Sequence, residues 1–169
     1  MDPDTIATVV ESGKTDDIND LIDEVESLDV PAQLALFEDS FETLLDCMDH
    51  EDGYSRQAVV RIVSALDPST GRMVVETSPD QFETIPEESR FVEAIDRESA
   101  LLVAALTDED GRVRRAAIRG LNSLAVGCQL TGDRDTLEQL AVDIRNLSVD
   151  DDKRDHIEEA LETVRGGIF

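Results

Sequence analysis

Apolar residues recur every three to four positions along most of this chain, and charged residues fill the positions between them. This spacing is typical of amphipathic helices that bury one face. Helix boundaries agree with it, because Pro31 stands where a first-turn proline is tolerated and Gly13 follows the first apolar run. The pattern predicts eight helices, over residues 4–12, 15–28, 31–48, 54–66, 87–106, 112–126, 133–147 and 150–165.

Part of this pattern is an internal repeat. The segment Leu44–Gly53 aligns without a gap with Leu102–Gly111, and the arginines after the first segment align with arginines after the second. Both copies consist of the end of an apolar helix, an acidic turn closing in Glu-Asp-Gly, and a second amphipathic helix. Such a match is typical of stacked helical repeats. The sequence therefore predicts an all-α fold of stacked antiparallel helix pairs in a single domain.

The repeat also divides the chain into segments. The two copies are offset by 58 residues (111 minus 53), whereas ordinary two-helix repeats span roughly 40 to 47. Prolines at positions 68, 79 and 86 fall between the copies, so this stretch is predicted to be an irregular insertion with one short helix near residues 81–84. The predicted segments are an N-terminal hairpin (1–30), copy 1 (31–66), the insertion (67–86), copy 2 (87–126) and a C-terminal helix pair (133–165).

The run Asp110–Leu121 resembles the second helix of HEAT-like repeats, in which a turn Asp is followed by Val-Arg and then by Ala and Leu at helical spacing. The first copy keeps most of this pattern but has Ser55 at the Val position. The resemblance implies an α-solenoid that acts as a scaffold or adaptor without common chemistry. It also implies that an Asp and an Arg join each repeat to the next, and the structural repeat residues are then Asp52, Gly53, Arg56, Asp110, Gly111 and Arg114.

The net charge of −25 in 169 residues changes the expected environment. The acids are spread over every turn and helix, while Lys14 and Lys153 are the only lysines. This bias resembles proteins that work in a salt-rich cytoplasm, where repulsion between the acids is screened. A competing interpretation, an acidic protein that binds basic partners, would favour blocks of acid. Two cysteines, and the lack of a signal peptide or long apolar run, predict a cytoplasmic protein without a membrane partner.

A helical wheel of the 112–126 segment separates two arcs at 100° per residue. The apolar arc carries Val113 and Leu121, and Arg114 falls on its flank, so Arg114 and its equivalent Arg56 are predicted to be partly buried and paired. The candidate binding residues lie on the opposite arc or at the equivalent position of copy 1: Arg61, Arg112, Arg115, Arg119 and Asn122. Two interpretations stay open, a positive stripe for an acidic partner or phosphate, and neutralisation of neighbouring acidic helices.

No metal, cofactor or catalytic residue is predicted. Cys47 and His50 form half of a zinc-like ligand set that Cys128 and His156 would complete, but Cys47 aligns with a core alanine and Cys128 follows the predicted end of a helix. The acidic turns lack the closing Glu of a calcium loop, no nucleophile context accompanies either His, and there is no Gly-rich phosphate loop.

The function expected from the sequence is a non-catalytic protein–protein adaptor whose partner is another protein. The first alternative is a HEAT-like nucleic-acid-binding or base-repair protein using the arginines, which repulsion between the acidic coat and phosphate disfavours. A cofactor lyase or maturation factor is a third. No small-molecule substrate is evident. Ile168 and Phe169 are predicted to dock on the last helix, with presentation to a partner as the alternative.

Salt dependence tests the high-salt interpretation. Lowering KCl from about 3 M to 0.1 M lengthens the Debye length to roughly 10 Å and restores repulsion between the acids. The helical circular dichroism signal and the melting temperature should therefore both fall. A melting temperature that is unchanged over this range would contradict salt adaptation.

Overall fold

The computed structural model describes residues 1–166. Within them the chain forms α-helices and short 3-10 turns and no strand, which confirms the all-α prediction. Ile168 and Phe169 lie outside the described residues. The helices are α1 (Pro3–Ser12), α2 (Thr15–Glu26), α3 (Val30–Asp46), α4 (Gly53–Leu66), α5 (Pro68–Thr77), α6 (Glu88–Ala105), α7 (Gly111–Thr131), α8 (Arg134–Arg145) and α9 (Arg154–Gly166), with 3-10 turns at Cys47–Asp49, Pro79–Gln81 and Asp151–Lys153.

The helices pack in two rows that follow chain order. In one row α1, α3, α6 and α8 contact one another in sequence, and in the other α2, α4, α7 and α9 do the same. Each helix of the first row also contacts the next helix of the chain, which lies in the second row, and α5 packs against α3, α6 and α7 outside both rows. The core lies between the rows, where Leu44, Ile62, Leu102 and Leu121 are fully buried.

The predicted irregular insertion is wrong in its first half, because residues 68–77 form α5. Under the offset of 58, the first six residues of α5 (68–73) align with the last six of α7 (126–131), and α7 runs unbroken to Thr131. In copy 1 the same helix is interrupted. Pro68 has no amide hydrogen to continue the α4 ladder, and Asp67 at φ 29° turns the chain. Asp67 then caps α5 by accepting a hydrogen bond from the Thr70 amide.

α7 extends five residues beyond its predicted end at Val126, because Gly127 does not end it. The helix continues there with α5 pressed against it: a Cβ on Gly127 would lie 2.4 Å from Ser69 Oγ. Glycine therefore permits the close approach of the two helices. A second correction follows, since Cys128, predicted beyond the helix end, lies within α7 and is 1% exposed. The short helix predicted near 81–84 is instead the 3-10 turn Pro79–Gln81.

Arg56 joins the two repeat copies. Its guanidinium donates Nη1 to the carbonyls of His50 and Glu51 in its own turn, at 2.8 and 2.9 Å. The other edge makes a bidentate pair with Asp108 of copy 2, with Nε–Oδ2 and Nη2–Oδ1 distances of 2.8 Å. Burial works to raise the pKa of Asp108, but the hydrogen bonds from Arg56 and from the Asp110 amide, together with the charge of Arg56, outweigh burial and hold that pKa below the usual range.

Arg114 occupies the same position in copy 2. It is 7% exposed, which confirms its predicted burial, and its Nη1 donates to the carbonyls of Asp108 and Glu109 at 2.6 and 3.0 Å. Its outward partner is not the expected acid, however, because Nε faces His156 Nδ1 of α9 at 3.4 Å. In both copies the arginine thus donates hydrogen bonds to two carbonyls of the turn before its own helix. Only Arg56 also forms an ion pair with a carboxylate of the following copy.

The turn aspartates have a different role from the one that the resemblance implies. Asp52 and Asp110 are the N-caps of α4 and α7, accepting from the amides of Tyr54 and Arg112 at 3.2 and 2.8 Å. Gly53 is nevertheless needed between the copies, since a Cβ there would lie 2.0 Å from Asp110 Oδ2. Asp110 packs against the first residue of α4, and Asp108 makes the ion pair between copies.

A double-mutant cycle on Arg56 and Asp108 tests this junction. Each alanine variant should unfold at lower denaturant concentration, and the coupling free energy should be about 1 to 3 kcal/mol, because both side chains are largely buried. Arg56→Lys should not restore stability, since an ammonium cannot make the bidentate pair and bind two carbonyls together. Arg115→Ala is the matched control and should stay within about 0.5 kcal/mol. If the losses of stability in the two single variants add up to the loss in the double variant, Arg56 and Asp108 do not interact as described.

Glu98 is a buried carboxyl in α6. It is 1% exposed, and neither of its oxygens has a hydrogen-bond partner among the described residues. Burial, and secondarily the charge of Asp67, raise its pKa well above the usual range. At the equivalent position copy 1 has Ser40, whose hydroxyl donates to the Leu36 carbonyl within its own helix. The core of copy 2 therefore holds a carboxyl that is more stable with its proton than without it.

The pH dependence of stability should report this group. The carboxyl of the unfolded chain titrates near the ordinary glutamate value of 4.5, and the folded carboxyl titrates higher, so the stability present below that pH is lost as pH rises through the folded pKa. Glu98→Gln removes the titration. The melting temperature of the variant should equal that of the wild type below about pH 4 and exceed it increasingly above that pH. A constant difference in melting temperature between the variant and the wild type at every pH would contradict the burial of Glu98 without a hydrogen-bond partner.

Candidate binding groove

A groove runs over α4 between α2 and α7. α4 packs against both of these helices and separates them. The first section of the groove has a volume of about 260 Å³, below the roughly 300 to 1,000 Å³ of typical small-molecule pockets. It is lined by Ile22, Glu26, Arg61, Ser64, Ala65, Ala116, Arg119 and Gly120.

Small residues make this groove possible. A Cβ on Gly120 would lie 2.3 Å from Ser64 Oγ and 2.8 Å from Leu102 Cδ2, so glycine lets α7 approach α4 closely. Ser64, Ala65 and Ala116 keep the floor free of bulk. The longer side chains of Arg61 and Arg119 then reach into the same space from neighbouring helices. These two arginines are equivalent in the repeat, since 119 minus 58 is 61.

No carboxylate of the described residues forms an ion pair with either groove arginine, although Glu26 lines the same space. Within residues 1–166, neither Arg61 nor Arg119 lies within 4.0 Å of a carboxylate, although ion pairs hold six other arginines. Arg61 donates Nη2 to the neutral amide oxygen of Asn19 at 2.7 Å. Arg119 is exposed and has no hydrogen bond to another described residue. In a chain with 40 acids and 15 bases, this leaves a locally cationic site.

The predicted arginine stripe is only partly assembled. Arg115 and Asn122 are exposed on α7, as the helical wheel predicts, but they do not line the groove. Arg112 is engaged at the start of α7: its Nη2 lies 2.6 Å from Asp110 Oδ2, and its guanidinium stacks 3.7 Å from the ring centre of Tyr54. The hydrogen bonds from Arg112 lower the pKa of Asp110 to about 2. Arg112 therefore fixes the turn, and the groove uses Arg61 and Arg119.

The groove continues into a second section of about 400 Å³. The two sections share Glu26, Ser64 and Ala65. Beyond this boundary the lining combines aliphatic and polar groups, contributed by Leu28, Val30, Gln33, Asp67, Thr70, Gly71, Val74 and Ser123. Asp67 accepts hydrogen bonds from the hydroxyls of Ser69 and Ser123, both at 2.7 Å. The carboxylate of Asp67 is thus occupied by hydrogen bonds within the protein. The exposed carboxylate of Glu26 lines both sections of the groove.

The four residues considered as metal ligands are separated. Cys47 and His50 precede α4, Cys128 lies within α7, and His156 contacts Arg114. No group of three or more His, Cys, Asp or Glu residues in the described part of the chain is arranged to hold a metal ion. Burial raises the pKa of the Cys128 thiol to about 12, which keeps the sulfur protonated and unreactive.

Comparisons with protein-family models, curated proteins and solved structures found no match for this chain. Among residues 1–166, no helix combines the length and apolar character needed to cross a bilayer.

Sequence reasoning missed the groove residues that are not arginines. Glu26 and Asn19 belong to α2, outside the repeat, so no alignment drew attention to them. Ser64 and Gly120 are residues of ordinary helical pattern, and only the packing of α4 on α7 shows why they are small. The signal that sequence does provide is the equivalence of Arg61 and Arg119 under the repeat offset.

Proposed function

We propose that this protein is a non-catalytic, HEAT-like protein–protein adaptor that binds its partner in the groove between α2 and α7. The observation that carries the proposal is the pair Arg61 and Arg119, which face one groove without a carboxylate partner. Desolvating an unpaired arginine is costly unless a ligand supplies the missing acceptor. The order of helix contacts, with first helices and second helices in separate rows, agrees with a repeat stack of this type.

Groove size and charge favour a protein partner over the two alternatives. The section of the groove that holds both arginines has a volume of about 260 Å³, which suits a side chain of a protein partner. A polyanion such as nucleic acid is held by arginines or lysines along its backbone, whereas Glu26 interrupts this groove. A folded or extended protein segment can place one complementary group at each position.

Affinity capture from the native lysate at molar KCl tests the proposal. Reversing both groove arginines, Arg61→Glu with Arg119→Glu, should abolish capture of the proteins that bind the wild type, because four units of charge change inside the groove. Nuclease treatment beforehand removes indirect capture through nucleic acid. Both side chains are away from the core, so the variant should keep the helical circular dichroism signal.

The matched control is Arg115→Glu with Arg145→Glu. These arginines are exposed outside the groove and change the net charge by the same amount. The control should retain the partners. Equal loss in both variants would assign binding to the overall field of the protein, and retention in the groove variant would place binding elsewhere.

A further inference from the structure

We infer that the groove recognises a segment carrying a single acidic side chain, placed between Arg61 and Arg119, with an aliphatic side chain nearby in the second section. The inference rests on the proposed function and specifies the chemistry of the partner. Three features of the groove carry it: the unpaired arginines, the carboxylate of Glu26, and the aliphatic residues beyond it.

The arginines select a carboxylate. Guanidinium groups from two helices reach the same small space, and each can donate two parallel hydrogen bonds to a carboxylate. Arg61 needs little rearrangement, because its Nη2 is held by Asn19 and its other donors have no partner among the described residues. The space of about 260 Å³ accommodates an acidic side chain between the two arginines.

Glu26 limits the number of acids. It lies at the boundary that both sections share, and it is exposed. Because Glu26 lines both sections, a second carboxylate next to the first would meet a like charge there, and like charges placed together weaken binding. A run of adjacent acidic residues is therefore disfavoured. The groove thus favours a segment with one acidic side chain over a segment with several adjacent acids.

The second section accepts an apolar neighbour. Leu28, Val30 and Val74 give this part of the groove aliphatic surface, and Leu28 and Val30 also pack on the core, which holds them in place. The two sections adjoin at Ser64 and Ala65. Side chains two residues apart in an extended segment, or three to four apart in a helix, lie on the same face and reach adjoining sites.

A selection from random seven-residue peptides, displayed with blocked termini, tests this specificity at about 2 M KCl. Peptides enriched by the wild type should contain one Asp or Glu with an aliphatic residue two to four positions away. For a synthetic winner, replacing Glu with Gln should weaken binding at least tenfold, since a charge-assisted pair is lost. Arg119→Gln should reduce the wild-type preference for Glu over Gln to less than threefold, while Arg115→Gln should leave it unchanged.

Glu26→Gln gives an independent readout. It should improve binding of peptides with two adjacent acids about tenfold and leave single-acid peptides within twofold of the wild type. Selected peptides that need both groove arginines but show no preference for an acid would overturn this inference and leave the proposed function standing. Peptides that bind the Arg61→Gln, Arg119→Gln variant as well as the wild type would overturn both. A 20-nucleotide poly(dT) probe that binds in the groove at the same salt would also overturn both.

Discussion

The packing of this protein depends on a guanidinium that serves two turns at once. One guanidinium nitrogen of Arg56 donates hydrogen bonds to two carbonyls of its own turn. The other two nitrogens donate to the carboxylate of Asp108 in the next copy. A buried arginine is stable only when nearly all of its donors have acceptors. The turn that precedes α4 and the turn that precedes α7 are therefore set in fixed relation, and α4 and α7 meet at the angle and distance from which the groove arises.

The shape of the groove depends on the Arg56–Asp108 contact between the two copies. Once α4 and α7 are fixed together, Gly120 allows close contact and Arg61 and Arg119 emerge side by side on their outer surface. α2 supplies the opposite wall, and Asn19 orients Arg61 without cancelling its charge. Arg56 and the groove arginines thus differ in their partners. Arg56 meets a carboxylate inside the protein, whereas Arg61 meets only a neutral amide oxygen and Arg119 has no acceptor among the described residues.

Local sequence signals predicted the helices well and their contacts poorly. Amphipathic spacing located all but one of the helices, and the wheel placed Arg114 inside and Arg115 and Arg119 outside, because side-chain period is fixed by helix geometry. α5 was missed because Pro68 and Gly71 indicate breaks, whereas here proline opens a helix and glycine packs within it. Glu98 was not singled out either, since burial of a carboxyl is decided by helices distant in the sequence. The groove depends in the same way on tertiary packing.

The contact of Arg114 with His156 distinguishes copy 2 from copy 1. In copy 1 the outward edge of the arginine meets a carboxylate of the following unit, but in copy 2 it meets an imidazole at 3.4 Å. The helix pair formed by α8 and α9 presents His156 at that position instead of an acid. The two joints therefore rest on different acceptors, a carboxylate that holds its arginine by two parallel hydrogen bonds and an imidazole nitrogen that offers one.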